Sequence, residues 1–530
     1  MWGEKLNESY DLAVVGSGFA GSLLAMIARQ LGRSVVLIEK GTHPRVVIGE
    51  SSTPLSNLLL EELATRYDLP ALRPLTKWGS WQRSYPKVAV GLKRGFTFHH
   101  HVLGSLKSDD PCRQDQLLVA ASPRDEIADT HWYRAEFDHL LVEEAEKLGV
   151  VYVDQVDLRQ FQEEADGVIL RGVRNGREVR LRAKFVIDAT GPRGFLHRAL
   201  QLGERDLGIP PTQALYSHFS GVRRLENTRF DRTAGAAPPY PIDDAAVHHV
   251  FDGGWIWVLQ FNNGITSAGV AATDVCASRL RFAEGQAAWE RLLEQIPALK
   301  EQFSTARPER PFTQIPRLSF RSAGIVGNRW ALLPSAAGFV DPLLSTGFPL
   351  TLLGVARLAK ILKEDWEKPG FAARLDEYAQ QTDRELLATA RLIGALYANM
   401  NNFPVFIALT LLYFAAASFS EAARRLGKPH LATGFLLCDD PVFGPASRSL
   451  MERARKPLTQ AESQILIRDI HASIEPFNIA GLGRAERRNW YPVEAKDLLD
   501  GAGKLNVTHA EIEAMLQRCG FTPDREAVSG

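Results

Sequence analysis

The sequence feature that most constrains the fold is a glycine-rich turn close to the N-terminus. An apolar run, residues 10–15, leads into the turn GSGFAG at residues 16–21, and an alanine- and leucine-rich helical pattern follows. A second apolar run then ends at Glu39. This order of strand, glycine turn, helix, strand and acidic residue is the unit that binds a dinucleotide. It predicts an α/β protein that begins with a Rossmann-type domain.

Each glycine of this turn has its own physical task. Gly16 makes the tight turn, Gly18 lets the backbone approach a pyrophosphate, and Gly21 lets the helix pack close to the strand. The amides at the start of the helix, around Ala20, face the phosphates and are aided by the helix dipole. Glu39 is placed to accept hydrogen bonds from ribose hydroxyls.

Charge and cysteine content exclude several classes of protein. The 530 residues include 62 basic and 62 acidic ones, so the chain has no excess of basic residues that would indicate nucleic-acid binding. It also has no acidic tail that would indicate a disordered region. The four cysteines are scattered, which excludes a zinc site of paired CxxC type and argues against a disulfide framework; they are Cys112, Cys276, Cys438 and Cys519. A reducing cytoplasm is therefore the expected compartment.

The apolar segments do not suggest export or a membrane span. The N-terminus has no long apolar run followed by a small-residue cleavage site, so we expect no signal peptide. The longest apolar stretch, residues 404–418, is shorter than the roughly 20 residues that a transmembrane helix needs. We expect a buried or interfacial helix there and no transmembrane segment.

Two segments resemble the FAD-binding motifs of a known class of protein. The opening unit and residues 185–191, FVIDATG, are similar to the first and second FAD motifs of glutathione-reductase-type proteins, especially their aromatic hydroxylase branch. The resemblance covers residues 10–355. It implies FAD as the cofactor, with Asp188 and Gly191 of the second motif beside it.

Five further segments resemble the FADH2-dependent halogenases in particular. They are IGESSTP at 48–54, similar to that family's GES-x-x-P stretch; LKRGFTF at 92–98, similar to the strand of its active-site lysine; YRAEFD at 133–138, similar to its R-x-x-F-D helix; GWIWVL at 254–259, similar to its W-x-W-x-I-P signature; and AAGFVDPLLSTG at 336–347, similar to its flavin-and-halide loop.

Three departures from the family pattern are present, and the third bears on the substrate. The W-x-W motif ends in Leu259-Gln260 rather than Ile-Pro, and Ser335 stands where an aspartate is usual. Tryptophan halogenases carry a glutamate just before Ser-Thr-Gly, and this chain has Leu344. The chain therefore resembles the phenol, pyrrole and chloramphenicol-type halogenases more closely than the tryptophan type.

The resemblance assigns the catalytic role to Lys93. An ammonium in a desolvated tunnel has a lowered pKa, which makes its amine reactive, either as a chloramine or as a hydrogen-bonding partner of hypohalous acid. The alternative is an ordinary strand lysine exposed to solvent. Lys77, in a tryptophan-rich segment, and Arg94 are the rival cations.

The motifs also assign the cofactor, the halide and the substrate path. Residues assigned to FAD are Gly16, Gly18, Ala20, Gly21, Glu39, Lys40, Glu50, Ser51, Arg134, Asp188, Gly191, Asp341 and Gly347. Thr346 and Gly347 offer a nest of backbone amides for a halide, or else only shape the flavin pocket. Trp255, Trp257, Phe96 and His99 are assigned to the substrate tunnel, with aromatic core packing as the alternative for the two tryptophans.

The run His99-His100-His101 does not suggest a metal site. We expect it on the same strand as Lys93, and neighbours on a strand point to opposite faces, so only His99 and His101 share one. No carboxylate spacing completes a ligand set. One of these histidines as a base that positions the substrate remains an alternative.

The pattern along the chain predicts four regions. Residues 1–200 form the first part of the FAD-binding domain, with an insertion near the flavin at 44–110, and residues 316–385 return to that domain. Residues 201–315 are strand-rich and predict a sheet that floors a substrate cavity, and residues 386–530 predict a mainly helical C-terminal region.

The resemblance implies a two-component halogenase. A separate flavin reductase supplies FADH2, a flavin C4a-hydroperoxide oxidises chloride or bromide, and an electron-rich arene of phenol or pyrrole type is halogenated. The alternatives are a flavin monooxygenase or a geranylgeranyl-reductase-like enzyme without halide chemistry, and a non-catalytic FAD-binding protein. Free or carrier-tethered substrate, chloride or bromide, and a homodimer all stay open.

Overall fold

A computed structural model of the protein describes residues 9–105, 113–228 and 237–521. Cys112 lies outside these residues. The strands are β1 Ser9–Val15, β2 Val35–Ile38, β3 Val90–Lys93, β4 Gly95–His100, β5 Gln116–Ala120, β6 Asp129–Trp132, β7 Val151–Val153, β8 Val156–Glu164, β9 Gly167–Arg174, β10 Arg177–Asp188, β11 Thr212–Ser220, β12 Ala246–Phe251, β13 Gly254–Gln260, β14 Ile265–Thr273, β15 Arg307–Pro308, β16 Thr313–Ile315, β17 Phe320–Arg321, β18 Val326–Gly327, β19 Trp330–Leu332, β20 Gly338–Phe339 and β21 Trp490–Tyr491.

The α-helices, numbered in chain order, are α1 Phe19–Gln30, α2 Pro54–Arg66, α3 Trp78–Ser84, α4 Arg134–Lys147, α5 Phe195–Ala199, α6 Asp274–Leu280, α7 Gln286–Gln295, α8 Pro297–Gln302, α9 Pro334–Ala337, α10 Gly347–Glu364, α11 Phe371–Tyr397, α12 Phe403–Arg425, α13 Phe443–Ala454, α14 Gln460–Ile474, α15 Ala495–Asp500 and α16 His509–Arg518.

The predicted Rossmann-type unit is confirmed by an eight-stranded sheet. Its centre, in the order β19-β10-β1-β2-β7, is parallel throughout. All four residues of β2 are buried, as expected for a parallel strand that is covered on both faces. The hairpin of β9 and β10 turns at Asn175 and Gly176, both with positive φ, as a two-residue turn requires.

A nine-stranded sheet draws its strands from three parts of the chain. Its main path runs β15-β11-β14-β13-β12-β4-β5-β21, with β16 paired to β11. Residues 201–315 supply most of the strands, but β4 and β5 come from residues 95–120 and β21 from residues 490–491. The strand-rich region predicted at 201–315 is therefore only part of this sheet, because β4 pairs in parallel with β12.

Lys93 and His99 lie on different strands, contrary to the expectation from sequence. The strand β3, which ends at Lys93, pairs with β6 in a separate two-stranded sheet, whereas β4 begins at Gly95. Arg94 makes the break, because its guanidinium is anchored to Asp125 at 2.6 Å. Gly95 allows β5 to approach closely, since a Cβ there would overlap the carbonyl oxygen of Val119.

The C-terminal region is helical, as predicted, and surrounds one very apolar helix. The stretch predicted at 404–418 lies in α12, which packs against α2 and α14. This helix is long and apolar enough to cross a membrane, yet 83% of its most apolar 18-residue window is buried inside the protein. It is therefore part of the core, where a fully apolar helix belongs.

Candidate functional site

A cavity of about 480 Å³ opens where the Rossmann-type sheet meets the nine-stranded sheet. The starts of three helices border it, through Gly18 to Ala20 before and within α1, Arg134 of α4 and Gly347 of α10. Gly191, which follows β10, borders it as well. Backbone N–H groups at helix starts favour anions, so the donors here suit the phosphates of a dinucleotide.

Two glycines of the turn, Gly16 and Gly21, are required by close contacts within the protein, and the third, Gly18, faces the cavity. Gly16 has a φ of 101°, and a Cβ there would lie 2.7 Å from the carbonyl carbon of Ala189. A Cβ on Gly21 would overlap the carbonyl oxygen of Gly16. Gly18 has no such conflict, since the nearest atom to its Cβ position is Arg134 Nη2 at 3.4 Å. It is the one of the three that lines the cavity.

The carboxylate of Glu39 is held beside the turn. Its oxygens accept hydrogen bonds from the N–H and hydroxyl of Ser17, from the N–H of Gly41 and from Arg45. Burial raises the pKa of Glu39, but Arg45 and these N–H donors lower it further, so the pKa lies below its ordinary value. Lys40 does not join the site, because its 71% exposed side chain pairs with Asp157.

Arg134 and Asp188 act on the cavity in different ways. Arg134 is buried, bound at both Nε and Nη2 by the Asp138 carboxylate at 2.7 Å, and donates from Nη1 to the carbonyl of Gly49. This fixes a cation on the cavity wall. The carboxylate of Asp188 instead accepts from the N–H groups of Thr190 and Leu196. It shapes the loop to Gly191 and does not line the cavity.

Lys93 is completely buried behind Ser51, which lines this cavity. Its Nζ donates to Ser51 Oγ at 2.8 Å and to the carbonyl oxygen of Ser52, and it lies 3.8 Å from the centre of the Phe96 ring. Ser51 lines the cavity, as does Glu50, whose carboxylate is hydrogen-bonded to His218 at 2.9 Å. The rival reading of Lys93 as an exposed strand lysine is thus excluded.

The charge of Lys93 is opposed by Asp129. The two residues are cross-strand partners in the β3–β6 ladder, and Asn57 Nδ2 donates to Asp129 Oδ1 at 2.8 Å. Burial lowers the pKa of Lys93 and raises the pKa of Asp129. Burial, followed by the nearby Lys93 charge, also lowers the pKa of His248 to about 3, so this histidine is neutral.

The segment from Asp341 to Gly347 forms a strained loop on the same wall. Asp341 Oδ1 accepts from the N–H of Leu343 and from Trp255 Nε1, and Oδ2 accepts from the hydroxyl of Tyr397. Burial raises the pKa of Asp341 to about 6.

Leu344 and Ser345 both have positive φ, 63° and 55°, which costs energy for residues other than glycine. The Tyr413 hydroxyl donates to the carbonyl of Leu344 at 3.1 Å and helps to hold this conformation. The loop delivers Thr346 and Gly347 to the cavity at the start of α10, where backbone amides are free of intrahelical partners.

A second cavity of about 190 Å³ lies close to the first. Residues 53–55 and Pro349 line it, whereas residues 49–51 and 345–348 of the same two segments line the first cavity. Phe96, whose ring contacts Lys93 Nζ, also lines the second cavity. These segments and Lys93 therefore form a partition between the two cavities.

Of the tunnel residues expected from sequence, Trp255, Trp257 and Phe96 lie on one face of the large sheet and His99 lies on the other. Trp255 and Trp257 line the first cavity, with ring centres 5.7 Å apart, and Phe96 lines the second. His99 does not join either cavity, because it stacks on His249, its cross-strand neighbour on the opposite face of β12 from His248. Among the described residues, no group of three or more His, Cys, Asp or Glu side chains is arranged to hold a metal.

Sequence reasoning did not find Asp129 or the far wall of the second cavity. Asp129 becomes notable only when β3 pairs with β6. The far wall is built by the C-terminal region, through Tyr413, Glu421 and Arg425 of α12 and Tyr491 of β21. No local motif marks these residues. Of the rival cations, Lys77 lines the second cavity and Arg94 is bound to Asp125.

Comparison with known proteins finds relatives that are named as halogenases. The chain is 31% identical over 397 residues to monodechloroaminopyrrolnitrin halogenase PrnC of Pseudomonas fluorescens, covering 71% of this chain and 66% of that protein. It is 26% identical to tetracycline 7-halogenase of Kitasatospora aureofaciens, covering 77% and 73%. The fold matches the crystal structure of halogenase PltM in complex with phloroglucinol and FAD, with a TM-score of 0.78, 24% identity and coverage of 90% and 99%.

Two family profiles match the chain directly. The NAD(P)-binding Rossmann-like domain matches residues 14–53, which contain the glycine turn and Glu39. The tryptophan halogenase profile matches residues 128–403, slightly more than half of the chain. This span contains Asp129, Arg134, Trp255, Trp257 and the loop that delivers Gly347. With its flavin-type cavity and its buried lysine, the chain thus belongs to the tryptophan halogenase family of flavin-dependent halogenases.

Proposed function

We propose that the protein is a two-component halogenase. In this proposal the first cavity holds FAD, and Lys93 transfers electrophilic halogen from it to a small electron-rich arene in the second cavity. The observation that carries this proposal is the position of Lys93 in the partition between the two cavities. The absence of a glutamate at Leu344 and the phenol and pyrrole named for several relatives favour an activated ring as substrate.

The residues of the first cavity would hold FAD at recognisable points. The start of α1 and Arg134 suit the pyrophosphate. Glu39, held beside the glycine turn by Ser17 and Arg45, would accept from the ribose hydroxyls. Reduced FAD supplies the oxygen chemistry that oxidises a halide. Trp255 and Trp257 would close the wall of this cavity against the arene, which suppresses direct oxygenation.

Lys93 would hold the oxidised halogen through its amine. Burial favours the neutral form, which has a lone pair to bind or hydrogen-bond hypohalous acid. Ser51 and the carbonyl of Ser52 accept from Nζ and fix its position between the cavities. The aromatic face of Phe96 excludes water from the same point.

Replacing Gly347 with alanine tests the halide role of the Thr346–Gly347 amides. A Cβ at Gly347 meets no protein atom within 4 Å, so the fold accepts it and the helix gains up to about 1 kcal/mol. The methyl group projects into the cavity where a halide would bind. We expect an unchanged or higher melting temperature with a KM for bromide raised at least tenfold (about 1.4 kcal/mol). Gly370→Ala, also in open space, is the matched control; an unchanged bromide KM would remove the halide assignment.

Replacing Asp129 with asparagine tests the electrostatic control of Lys93. Asp129 raises the pKa of Lys93 against the effect of burial, so its loss lowers that pKa further. Activity rises as Lys93 loses its proton, and the acid limb of the kcat/KM profile is therefore expected to move to lower pH. Asparagine can still accept from Asn57. A limb at the wild-type position would contradict this role.

The overall proposal is tested by supplying the protein with FAD, a flavin reductase, NADH, oxygen and bromide, and a panel of phenols, pyrroles and indoles. Mass spectrometry would show the bromine isotope doublet. A product that gains oxygen but never bromine would move the protein to the monooxygenases. No oxidation of bromide with any substrate would also contradict the proposal.

The partners follow from this chemistry. Reduced FAD comes from a separate flavin reductase, because one dinucleotide fingerprint is present at residues 16–21. Two relatives are named for a pyrrole held on a peptidyl-carrier protein, so a carrier-tethered substrate is tested alongside free ones. We place the protein in the reducing cytoplasm, where Cys276, Cys438 and Cys519 keep free thiols.

A further inference from the structure

The second cavity has room for a single substituted ring. Its volume is about 190 Å³. An engineered cavity of about 150 Å³ in another protein takes up benzene, so the second cavity is somewhat larger than one benzene ring needs. Aromatic side chains form much of its wall, including Phe96, Tyr413, Phe414 and Tyr491. Such a wall suits the faces of an aromatic ring and offers little to a large polar molecule.

One carboxylate in this cavity has an oxygen to spare. Glu421 lines the cavity from α12, and its Oε1 accepts a hydrogen bond from Arg425 Nε at 2.7 Å. In the part of the chain that the structure describes, its Oε2 accepts no hydrogen bond. The other acidic residue of the lining, Glu494, has both oxygens bound by Arg487 at 2.6 and 2.7 Å.

The Glu421 carboxylate lies near the charged pair behind the partition. Arg425 is largely buried and permanently charged, and it holds Glu421 in a fixed orientation. The negative charge of Glu421 contributes, after burial, to the raised pKa of Asp129, the cross-strand partner of Lys93. A ring in the second cavity is thus bordered by Phe96, whose ring covers Lys93 Nζ at the partition, and by Glu421 on the helix.

We propose that Glu421 binds the hydroxyl group of a single-ring phenol and thereby directs one ring carbon towards Lys93. This rests on the proposed halogenase function and specifies its substrate. A carboxylate that is held by an arginine and has one open acceptor oxygen selects a donor such as a phenolic O–H. An ether or a bare ring leaves that oxygen buried without a partner, which is unfavourable.

The same contact activates the ring. As the ring carbon bonds to the halogen of hypohalous acid, the halogen–oxygen bond breaks and the phenolic proton passes to Glu421. The hydroxide released takes the proton from the halogenated carbon and leaves as water. Glu421 then returns its proton to the phenolic oxygen, so the ring regains aromaticity and the enzyme its starting state.

The test uses the FAD-loaded enzyme with a matched pair of probes, resorcinol and 1,3-dimethoxybenzene. Both rings are electron-rich, but only resorcinol donates a hydrogen bond. We expect wild-type enzyme to bind and brominate resorcinol and to discriminate against the ether. In Glu421→Gln, kcat/KM for resorcinol should fall about 10- to 100-fold, while the low rate with the ether stays the same. A merely structural role would lower both rates together.

The matched control is Glu62→Gln. Glu62 of α2 accepts a hydrogen bond from Arg424 of α12 at 3.0 Å. This carboxylate–arginine pair is partly buried, like the pair of Glu421 and Arg425, but Glu62 lies outside the second cavity. Its rates should equal those of wild type. Resorcinol bound or brominated equally well by Glu421→Gln, or an ether as good as resorcinol, would overturn the inference.

Two further readouts separate this inference from the halogenase proposal. Bromide oxidation by wild-type enzyme, without binding of either probe, would overturn the inference and leave the proposed function standing. If bromide is not oxidised at all, the proposed function fails, and equilibrium binding of resorcinol to wild type and Glu421→Gln still decides the role of Glu421.

Discussion

Replacing Lys93 with methionine is expected to abolish halogenation while FAD remains bound. Methionine keeps the length and apolar volume of the lysine stem but removes the amine that would bind the oxidised halogen. Side chains with such positioned roles contribute factors of about 100 to 10,000 to rate, so product formation should fall by that amount. The glycine turn, Glu39 and Arg134, to which we assign FAD binding, do not contact the Lys93 amine.

The fold is expected to tolerate this change. Leaving a buried charge without its opposing charge is costly, and for a true buried ion pair the loss is about 3–5 kcal/mol. Burial already raises the pKa of Asp129, so this carboxyl can take up a proton and keep its hydrogen bond with Asn57. Circular dichroism and thermal unfolding should show a folded protein with a modest loss of stability.

The measurement is bromination of an accepted arene, followed by mass spectrometry, together with titration of FAD. Lys40→Met is the control, because Lys40 is exposed and paired with Asp157 outside the cavity. It should keep both FAD affinity and activity. Bromination by Lys93→Met at the wild-type rate would refute the role assigned to Lys93.

The second large effect is expected for Gly21→Ala, which should lose FAD binding and much of its stability. A methyl group there overlaps the carbonyl oxygen of Gly16, and neither backbone can retreat because Gly16 also touches Ala189. The start of α1 must then move away from β1, which displaces the amides that face the cofactor. Overpacking of this kind costs about 1–3 kcal/mol, occasionally more.

Urea unfolding and the absorbance of bound FAD would measure the two effects. Gly503→Ala is the matched control, since a Cβ there meets nothing within 4 Å and the position is far along the C-terminal region. That variant should bind FAD as wild type does. Normal FAD affinity in Gly21→Ala would mean that the close packing of α1 on the turn is not required.

Local motifs were sufficient where one short segment carries the whole physical requirement. The glycine turn predicts its own conformation, because the strand, the turn and the helix are consecutive and Gly21 meets the Gly16 carbonyl within the turn itself. The Asn175–Gly176 hairpin is a similar case, since two adjacent residues adopt the positive φ that the turn needs. Lys93 could be singled out because the motif around it is recognisable, whereas its buried environment could not be derived from the sequence.

Pairing between distant segments was not accessible in the same way. The histidines after Lys93 were expected on its strand, but β3 and β4 belong to different sheets, and His99 stacks on His249 away from both cavities. Asp188 and Lys40 stand at motif positions, yet their side chains bind neighbouring protein groups instead of facing the cavity.

The sequence by itself determined the dinucleotide-binding unit, the family resemblance and the identity of the buried lysine, because these depend on neighbouring residues. Only the tertiary structure decided that Lys93 separates two cavities, that Asp129 opposes its charge, and that α12 brings Glu421 to the far wall. Those relations join segments more than 30 residues apart for Lys93 and Asp129 and more than 300 for Lys93 and Glu421. They arise from strand pairing and burial, which no local pattern encodes.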